Sequence, residues 1–263
     1  RKAVLAKVVI DATGDGDIFC QTGAPFIEKP APGSRADKTA LVWRMGGVDY
    51  EAYARWGKEH PDLMNSFKDE LSRVAGYRTM PLAGERNDIV WFNNWLPGLN
   101  CANIEDIKTT EFTVRNSIRR IIKFCREYMP AAFRNAYLYD IAPQLGARCS
   151  RRIEGEYVMN TLDFACAHKF DDVIAWHSTI CQLNDCGPVE IPYRAILPKE
   201  VENLLCPGRH LSADNVAIDW LNLIPQCVGT GQAAGVAAAL AVKKGISVRD
   251  VDAADIRRVI GMK

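Results

Sequence analysis

Two segments share a form that suits ligand chemistry: an apolar strand-like run, a glycine turn and a group of polar side chains. In the first, Val8–Ile10 runs into Asp11-Ala12-Thr13-Gly14-Asp15-Gly16-Asp17. In the second, Asn203-Leu204-Leu205 leads through Pro207-Gly208 to Arg209, His210, Ser212, Ala213 and Asp214. In open α/β sheets ligands lie beyond the carboxyl ends of strands, where glycine admits a close backbone approach and helix N-termini offer unpaired N–H groups to anions. The arrangement suits a nucleotide cofactor, although a strand followed by a glycine turn is also common structural punctuation. Close behind, Gly229-Thr230-Gly231-Gln232-Ala233-Ala234 satisfies the dinucleotide pattern G-x-G-x-x-G/A. It is rejected as a complete dinucleotide fold. Only residues 235–263 come after it, and Asn222-Leu223-Ile224-Pro225 before it is a poor parallel strand because proline lacks the ladder donor.

Arginines form the next group. Arg148, Arg151 and Arg152 fall on or beside a predicted strand, Arg151–Met159, where alternation sends Arg151 and Arg152 to opposite faces. Either they bind a carboxylate, which the guanidinium fork pairs two oxygens at once, or they make salt bridges with Glu154 and Glu156. His177, Cys181 and Cys186 can be drawn as a metal cluster, but there is no paired C-x-x-C and the spacing fits no zinc pattern, so no metal is expected.

These groups need a fold to hold them, and the composition allows one. The 263 residues carry 33 Lys+Arg against 32 Asp+Glu, a formal charge of +1, which removes the electrostatic case for a nucleic-acid binder. With 48% hydrophobic and 25% charged residues the chain has a core to build. No apolar run long enough to span a membrane occurs; the nearest, Val228–Val242, is mostly Gly and Ala. Nine scattered cysteines in a chain of this size point to free thiols and a reducing, cytoplasmic setting.

Along the chain, Val4–Ile10 and Val201–Cys206 read as buried strands, Thr39–Met45, Asp88–Asn93 and Ala136–Ala142 as further strands, and Tyr50–His60 as a helix before Pro61. Ile104–Tyr128 is the strongest helix: Val114, Ile118, Ile121, Ile122 and Cys125 share a face, its arginines form a solvated face or, alternatively, bind phosphate, and Pro130 closes it. Asn160 is a helix start. A small-residue helix is predicted from Gly229 to Val242, ended by Gly245. The chain enters Val4–Ile10 at once after Arg1-Lys2-Ala3, so it is expected to begin inside a fold.

Five motifs in order, Val8–Asp17, Ser150-Arg151-Arg152-Ile153-Glu154-Gly155-Glu156-Tyr157, Ile191-Pro192-Tyr193-Arg194-Ala195, Asn203-Leu204-Leu205-x-x-Gly208-Arg209 and Gly231-Gln232-Ala233-Ala234-Gly235-x-Ala237-Ala238, give the chain a family look. It resembles the FAD-dependent oxidoreductase family, within the wider group of flavoproteins that includes fumarate reductase and glutathione reductase. The resemblance implies an α/β fold with an α+β cap: an incomplete FAD-binding Rossmann-like domain, residues 1–25 and 198–263, around an inserted mixed-sheet substrate domain, residues 26–197. It also implies that the glycine-rich first segment of such proteins is missing ahead of Arg1.

By the same resemblance FAD is the cofactor, and Thr13, Gly14 and Asp15 match the turn beside its adenosine and pyrophosphate. Gly208, Arg209, Ser212, Ala213 and Asp214 match the segment under the ribityl chain. Arg209 stands where many relatives have an acidic residue, so Asp214 either takes that role or caps the next stretch of chain. Gly229, Thr230, Gly231 and Gln232 match the N-terminus of the final helix, whose N–H groups would stabilise charge at the flavin's N1–C2=O edge. His210 replaces a cysteine frequent in relatives and would act as proton donor or acceptor, as a covalent flavin anchor, or as a buried structural group. Arg148 and Arg152 are candidate catalytic residues on the carboxylate-binding reading, the salt-bridge reading remaining open. Asp219-Trp220-Leu221-Asn222 either lines the substrate side or belongs to the core. The implied reaction is hydride transfer between a small organic substrate and flavin N5. Two alternatives remain: a subunit that completes its FAD site with a partner chain, and a truncated structural module. Half-paired apolar strands would make the isolated chain self-associate.

Overall fold

The computed structural model describes residues 3–177 and 188–262. The chain forms two compact units, one from Arg1–Asp37 and Arg148–Lys263, the other from Lys38–Ala147. The continuous unit lies inside the span 26–197 and is shorter than it at both ends.

The discontinuous unit opens on β1 (Val9–Ile10), a 3-10 turn at Phe19–Gln21 and β2 (Phe26–Glu28). The expected strand Val4–Ile10 is not buried along its length: Val4 is 89% and Leu5 99% exposed. Only Val9 and Ile10 lie opposite ladder partners, and backbone without a partner is left to water.

The continuous unit contains β3 (Lys38–Thr39), β4 (Trp43–Gly46), α1 (Tyr50–Glu59), α2 (Pro61–Ala75), β5 (Arg78–Ala83), β6 (Ile89–Pro97), α3 (Ile104–Tyr128), α4 (Pro130–Phe133) and β7 (Tyr137–Ile141). Its sheet is antiparallel: β6 pairs with β3, β4 and β5, and β7 pairs with β4. Val90, Phe92 and Leu96 of β6 point into the core, where Phe92 stacks on Trp43 with ring centroids 4.3 Å apart. The expected strand Thr39–Met45 is broken at Leu41, whose N–H donates to Asn94 Oδ1 at 2.8 Å and whose C=O accepts from Asn94 Nδ2 at 2.6 Å. An amide side chain thus replaces the ladder there. Pro61 ends α1 and also starts α2, because proline's missing N–H is no loss at the first helical position. α3 has the bounds its periodicity predicts: Asn103 accepts from Glu105 N, and Val114, Ile118, Ile121 and Cys125 are buried.

The chain then returns to the first unit with β8 (Arg151–Ile153), α5 (Thr161–Ala165), β9 (Val173–His177), β10 (Val189–Pro192), a 3-10 turn at Tyr193–Ile196 and β11 (Leu204–Leu205). It ends with α6 (Ile218–Leu221), α7 (Ile224–Lys244), a 3-10 turn at Val248–Asp250 and α8 (Ala253–Ile260). β1 and β11 run parallel, with Val9 opposite Leu204 and Ile10 opposite Leu205. β2–β8 and β9–β10 are antiparallel pairs. The expected strand Arg151–Met159 stops at Ile153, because Glu154 N donates to Pro25 O and Glu156 N to Leu197 O, in different segments. Asn160 and Asp163 close a reciprocal capping box on α5. Ala233, Ala234, Ala237 and Ala241 form the buried face of α7, which packs on β9 and β1.

Every cysteine among the described residues is a free thiol. Cys181 and Cys186 lie outside those residues, and no His, Cys, Asp or Glu group within them is arranged to hold a metal ion. No described helix is long and apolar enough to cross a membrane.

Candidate functional site

Because β1 and β11 are parallel neighbours, the two polar loops seen in the sequence leave from the same end of the pair. Asp11 comes directly after β1 and is fully buried. Its Oδ1 accepts from Thr13 N at 3.0 Å and Thr13 Oγ1 at 2.7 Å, and its Oδ2 from Ile18 N at 3.2 Å and Phe19 N at 2.8 Å. One carboxylate therefore folds the whole 11–19 loop. Burial opposes its ionisation, but the Thr13 and Phe19 hydrogen bonds and nearby His210 outweigh that and hold its pKa below the ordinary carboxylate value. The sequence signal was an Asp two residues before a Thr at a strand end, an Asx-turn pattern.

Two contacts tie this loop to the one after β11. Arg209 pairs with Asp15 at 2.8 Å, and His210 Nε2 donates to the Asp11 carbonyl at 3.0 Å. Gly14 has φ +85°, and a Cβ there would lie 2.8 Å from the Arg209 guanidinium carbon, so glycine is what permits this crossing. His210 is fully enclosed, with its ring edge-on to Phe19 at 5.3 Å. Burial lowers its pKa despite the opposing pull of Asp11, so the ring is neutral at pH 7.

The remainder of the second loop is committed to structure. Ser212 Oγ accepts from Gly155 N at 2.9 Å, and Ala213 bridges to Met159. Asp214 Oδ1 accepts from Val216 N at 2.9 Å and Ala217 N at 2.7 Å, capping the turn into α6. Gly208 N donates to Thr230 Oγ1 at 3.1 Å, which fastens the loop to α7.

The predicted start of that helix needs correction. α7 begins at Ile224, with Pro225 in its first turn, so Gly229, Thr230, Gly231 and Gln232 lie in its interior, where N–H groups bond to carbonyls four residues back. The positive end of the dipole is at Ile224–Gln226. Nor is α7 the final helix, since α8 comes after it. Thr230 is buried, Gln232 is exposed, and a Cβ on Gly229 would meet Ala175 Cβ at 3.1 Å. Gly231 has nothing within 4 Å of its Cβ position.

The arginines separate. Arg151 donates to Asp15 O and Asp17 Oδ1, both at 3.0 Å, and Glu156 pairs with Arg249, so the expected bridges to Glu154 and Glu156 do not form. Remote partners win because the strand ends before the glutamates. Arg152 is 2% exposed and donates through Nη2 to Asn215 Oδ1. The Cys149 thiol is beside it; burial pushes that thiol up to about 11 against the pull of Arg152 and Arg209. Arg209 also acts on Cys227, whose pKa burial raises. Asp15, Cys149, Arg152, Arg209 and Cys227 therefore share one neighbourhood. Arg148 feels the charges of Arg35 and Asp219 instead, repelled by the first and attracted by the second.

The model of the family described as FAD dependent oxidoreductase matches residues 1–260. The chain belongs to that family. Its cofactor is FAD, and the family's activity is oxidation and reduction. No curated protein and no solved structure matches the chain.

The site's residues fit a group rich in phosphate oxygens and hydroxyls. Ser150 Oγ, Arg152 Nε and Nη1, and Arg209 Nε are buried with no hydrogen-bond partner among the described residues. Each such group costs about 1–3 kcal/mol until an acceptor meets it. Gly208, with φ +101°, and Gly231 leave open space where a side chain would stand, as close approach by a flat ligand requires.

Proposed function

We propose that this FAD dependent oxidoreductase transfers a hydride between a small organic substrate and the flavin, holding FAD where the β1 and β11 loops meet. The observation that carries this reading is the cross-tied loop pair: Arg209 on Asp15, His210 on Asp11, and Gly208 on Thr230 of α7. Bound FAD supplies the two-electron carrier. Thr13, Gly14, Asp15, Gly208 and Arg209 form the cradle, and Arg152 with Ser150 supplies unused donors to its anionic part. Gly231 gives α7 a bare patch. His210 is assigned as a positioning residue, since its ring is enclosed and its one proton is held by a carbonyl. The first turn of α7 is the source of positive potential.

The test is to purify the chain, add FAD and record the visible spectrum after gel filtration. A retained yellow protein is expected, and Arg152→Gln should weaken FAD binding by ~10–100-fold, the worth of one or two charge-assisted hydrogen bonds. A colourless protein whose melting temperature ignores FAD overturns the self-sufficient site.

That outcome would favour a second reading, in which another segment or a partner chain completes the cofactor site. Its support is that β1 pairs with one strand only among the described residues and Val9 is 38% exposed. Sedimentation of the same sample reads the association such an edge invites.

A further inference from the structure

We propose that Arg35, Arg148 and Asn222 form a binding site for a carboxylate. This site does not rest on the flavoenzyme reading.

All the side chains that build the site belong to one unit. Asp219 binds the turn at Arg35, accepting from Arg35 N at 2.9 Å and Ala36 N at 2.5 Å, so both carboxylate oxygens are occupied by backbone. The Arg35 guanidinium lies 5.7 Å from the Trp220 ring centroid, donating through Nη1 to the Asp219 carbonyl and, at 3.3 Å, to Asn222 Oδ1. With Oδ1 so engaged, the Asn222 amide is oriented, and its Nδ2 is buried with no acceptor. Arg148 makes no hydrogen bond to any described residue, and its Nε is buried.

Two guanidinium groups therefore share the field of one carboxylate, each oxygen of which already accepts a backbone N–H. One positive charge is in excess, and the unused groups are all donors. Burial lowers the pKa of both arginines; Arg35 adds repulsion at Arg148, and Asp219 opposes the shift at each. An arrangement of like charges and unmet donors is stabilised by an anion. Any oxyanion shares the required chemistry. A carboxylate fits best, because a planar two-oxygen group matches a guanidinium edge together with one amide N–H. The site was half legible in sequence: Arg148 stood out beside Arg151 and Arg152, whereas Arg35 and Asn222 join it only through the Asp219 turn.

The experiment titrates the full chain, without flavin, with benzoate, benzamide, phosphate and sulfate, reading heat and melting temperature; FAD is titrated separately into the same preparation. Saturable benzoate binding is expected, with benzamide inert, phosphate and sulfate weaker, and Arg148→Gln weakening benzoate by ~10–100-fold. Asn222→Asp supplies the missing counter-charge inside the protein. It should raise the ligand-free melting temperature by about 2 °C or more and abolish benzoate binding. This second variant keeps the proposal testable if Arg148→Gln does not fold. Equal binding of benzoate and benzamide, no saturable benzoate binding, or benzoate binding unchanged in both variants overturns the site. Arg148-dependent binding tighter for phosphate than for benzoate overturns the carboxylate assignment. Failure to bind FAD with benzoate binding intact overturns the self-sufficient FAD site and leaves the carboxylate site standing.

Discussion

Asp11 and His210 touch each other's loops and both have lowered pKa values from different starting points, so acid should undo this site in two stages. The His210 pKa is depressed by burial, so the unfolded chain takes up its proton first. The stability this neutral ring contributes is full above its ordinary pKa of about 6.5 and is lost as pH falls through the folded value. The Asp11 pKa is depressed because hydrogen bonds from the loop outweigh burial, and its contribution is full above about 4 and is lost as pH falls further. Asp11→Asn should therefore lose about 1.5–3 kcal/mol at pH 7 and show a flatter stability profile below pH 4, by urea denaturation across pH. His210→Gln should instead flatten the profile just below pH 6.5. Identical profiles for the variants and the wild type would show that neither group is held by these contacts.

At the scale of elements, α7 connects the sequence to the site most directly. Gly231 costs helix stability, and nothing stands within 4 Å of its Cβ position, so Gly231→Leu should stabilise the fold by about 0.5–1 kcal/mol. If the bare patch belongs to the flavin, the same change should weaken FAD binding at least tenfold; unchanged FAD affinity would move the flavin off this face. How far such elements are legible depends on where their determinants lie. α3 and the Asn160 cap are written locally, in spacing and capping residues, and the structure keeps them. The ends of β1, β4 and β8 depend on distant partners: Leu204, the Asn94 amide, Pro25 and Leu197. No window of sequence around those strands contains that information. For α7 the misleading signal was glycine spacing, which looked like a helix start, while the true start is Ile224, marked by Pro225 in the first turn, a residue that reads only as a poor strand former. In the site, the strand-turn residues Asp15, Gly208 and Arg209 come together as neighbours. Arg148 separates from Arg152 because Arg35 and Asp219 arrive from far along the chain.

At the scale of the whole molecule, the unit Lys38–Ala147 has what a domain needs to fold alone. Trp43, Phe67, Phe92 and Ile121 are at most 1% exposed within its own core, and a unit of this kind is near the usual ~100–150 residue domain size. Its two ends are fastened to each other: Gly146 N donates to Ala40 O at 2.7 Å and Ala40 N to Gly146 O at 3.2 Å. The solvent face of its sheet is aromatic, yet Arg44 lies 5.0 Å from the Trp91 centroid and 4.9 Å from that of Tyr139, and also pairs with Asp140. A guanidinium over those rings keeps charge on a face that would otherwise invite association. Residues 38–147 expressed alone should therefore give a soluble protein with one cooperative thermal transition and a strong near-UV signal from the stacked Trp43 and Phe92. Trp43→Ala, which empties the centre of that core, should cost about 3–5 kcal/mol in the excised unit and a similar amount in the full chain. A fragment that keeps its far-UV signal but shows no near-UV signal and no cooperative transition would mean that this core is completed by residues outside 38–147.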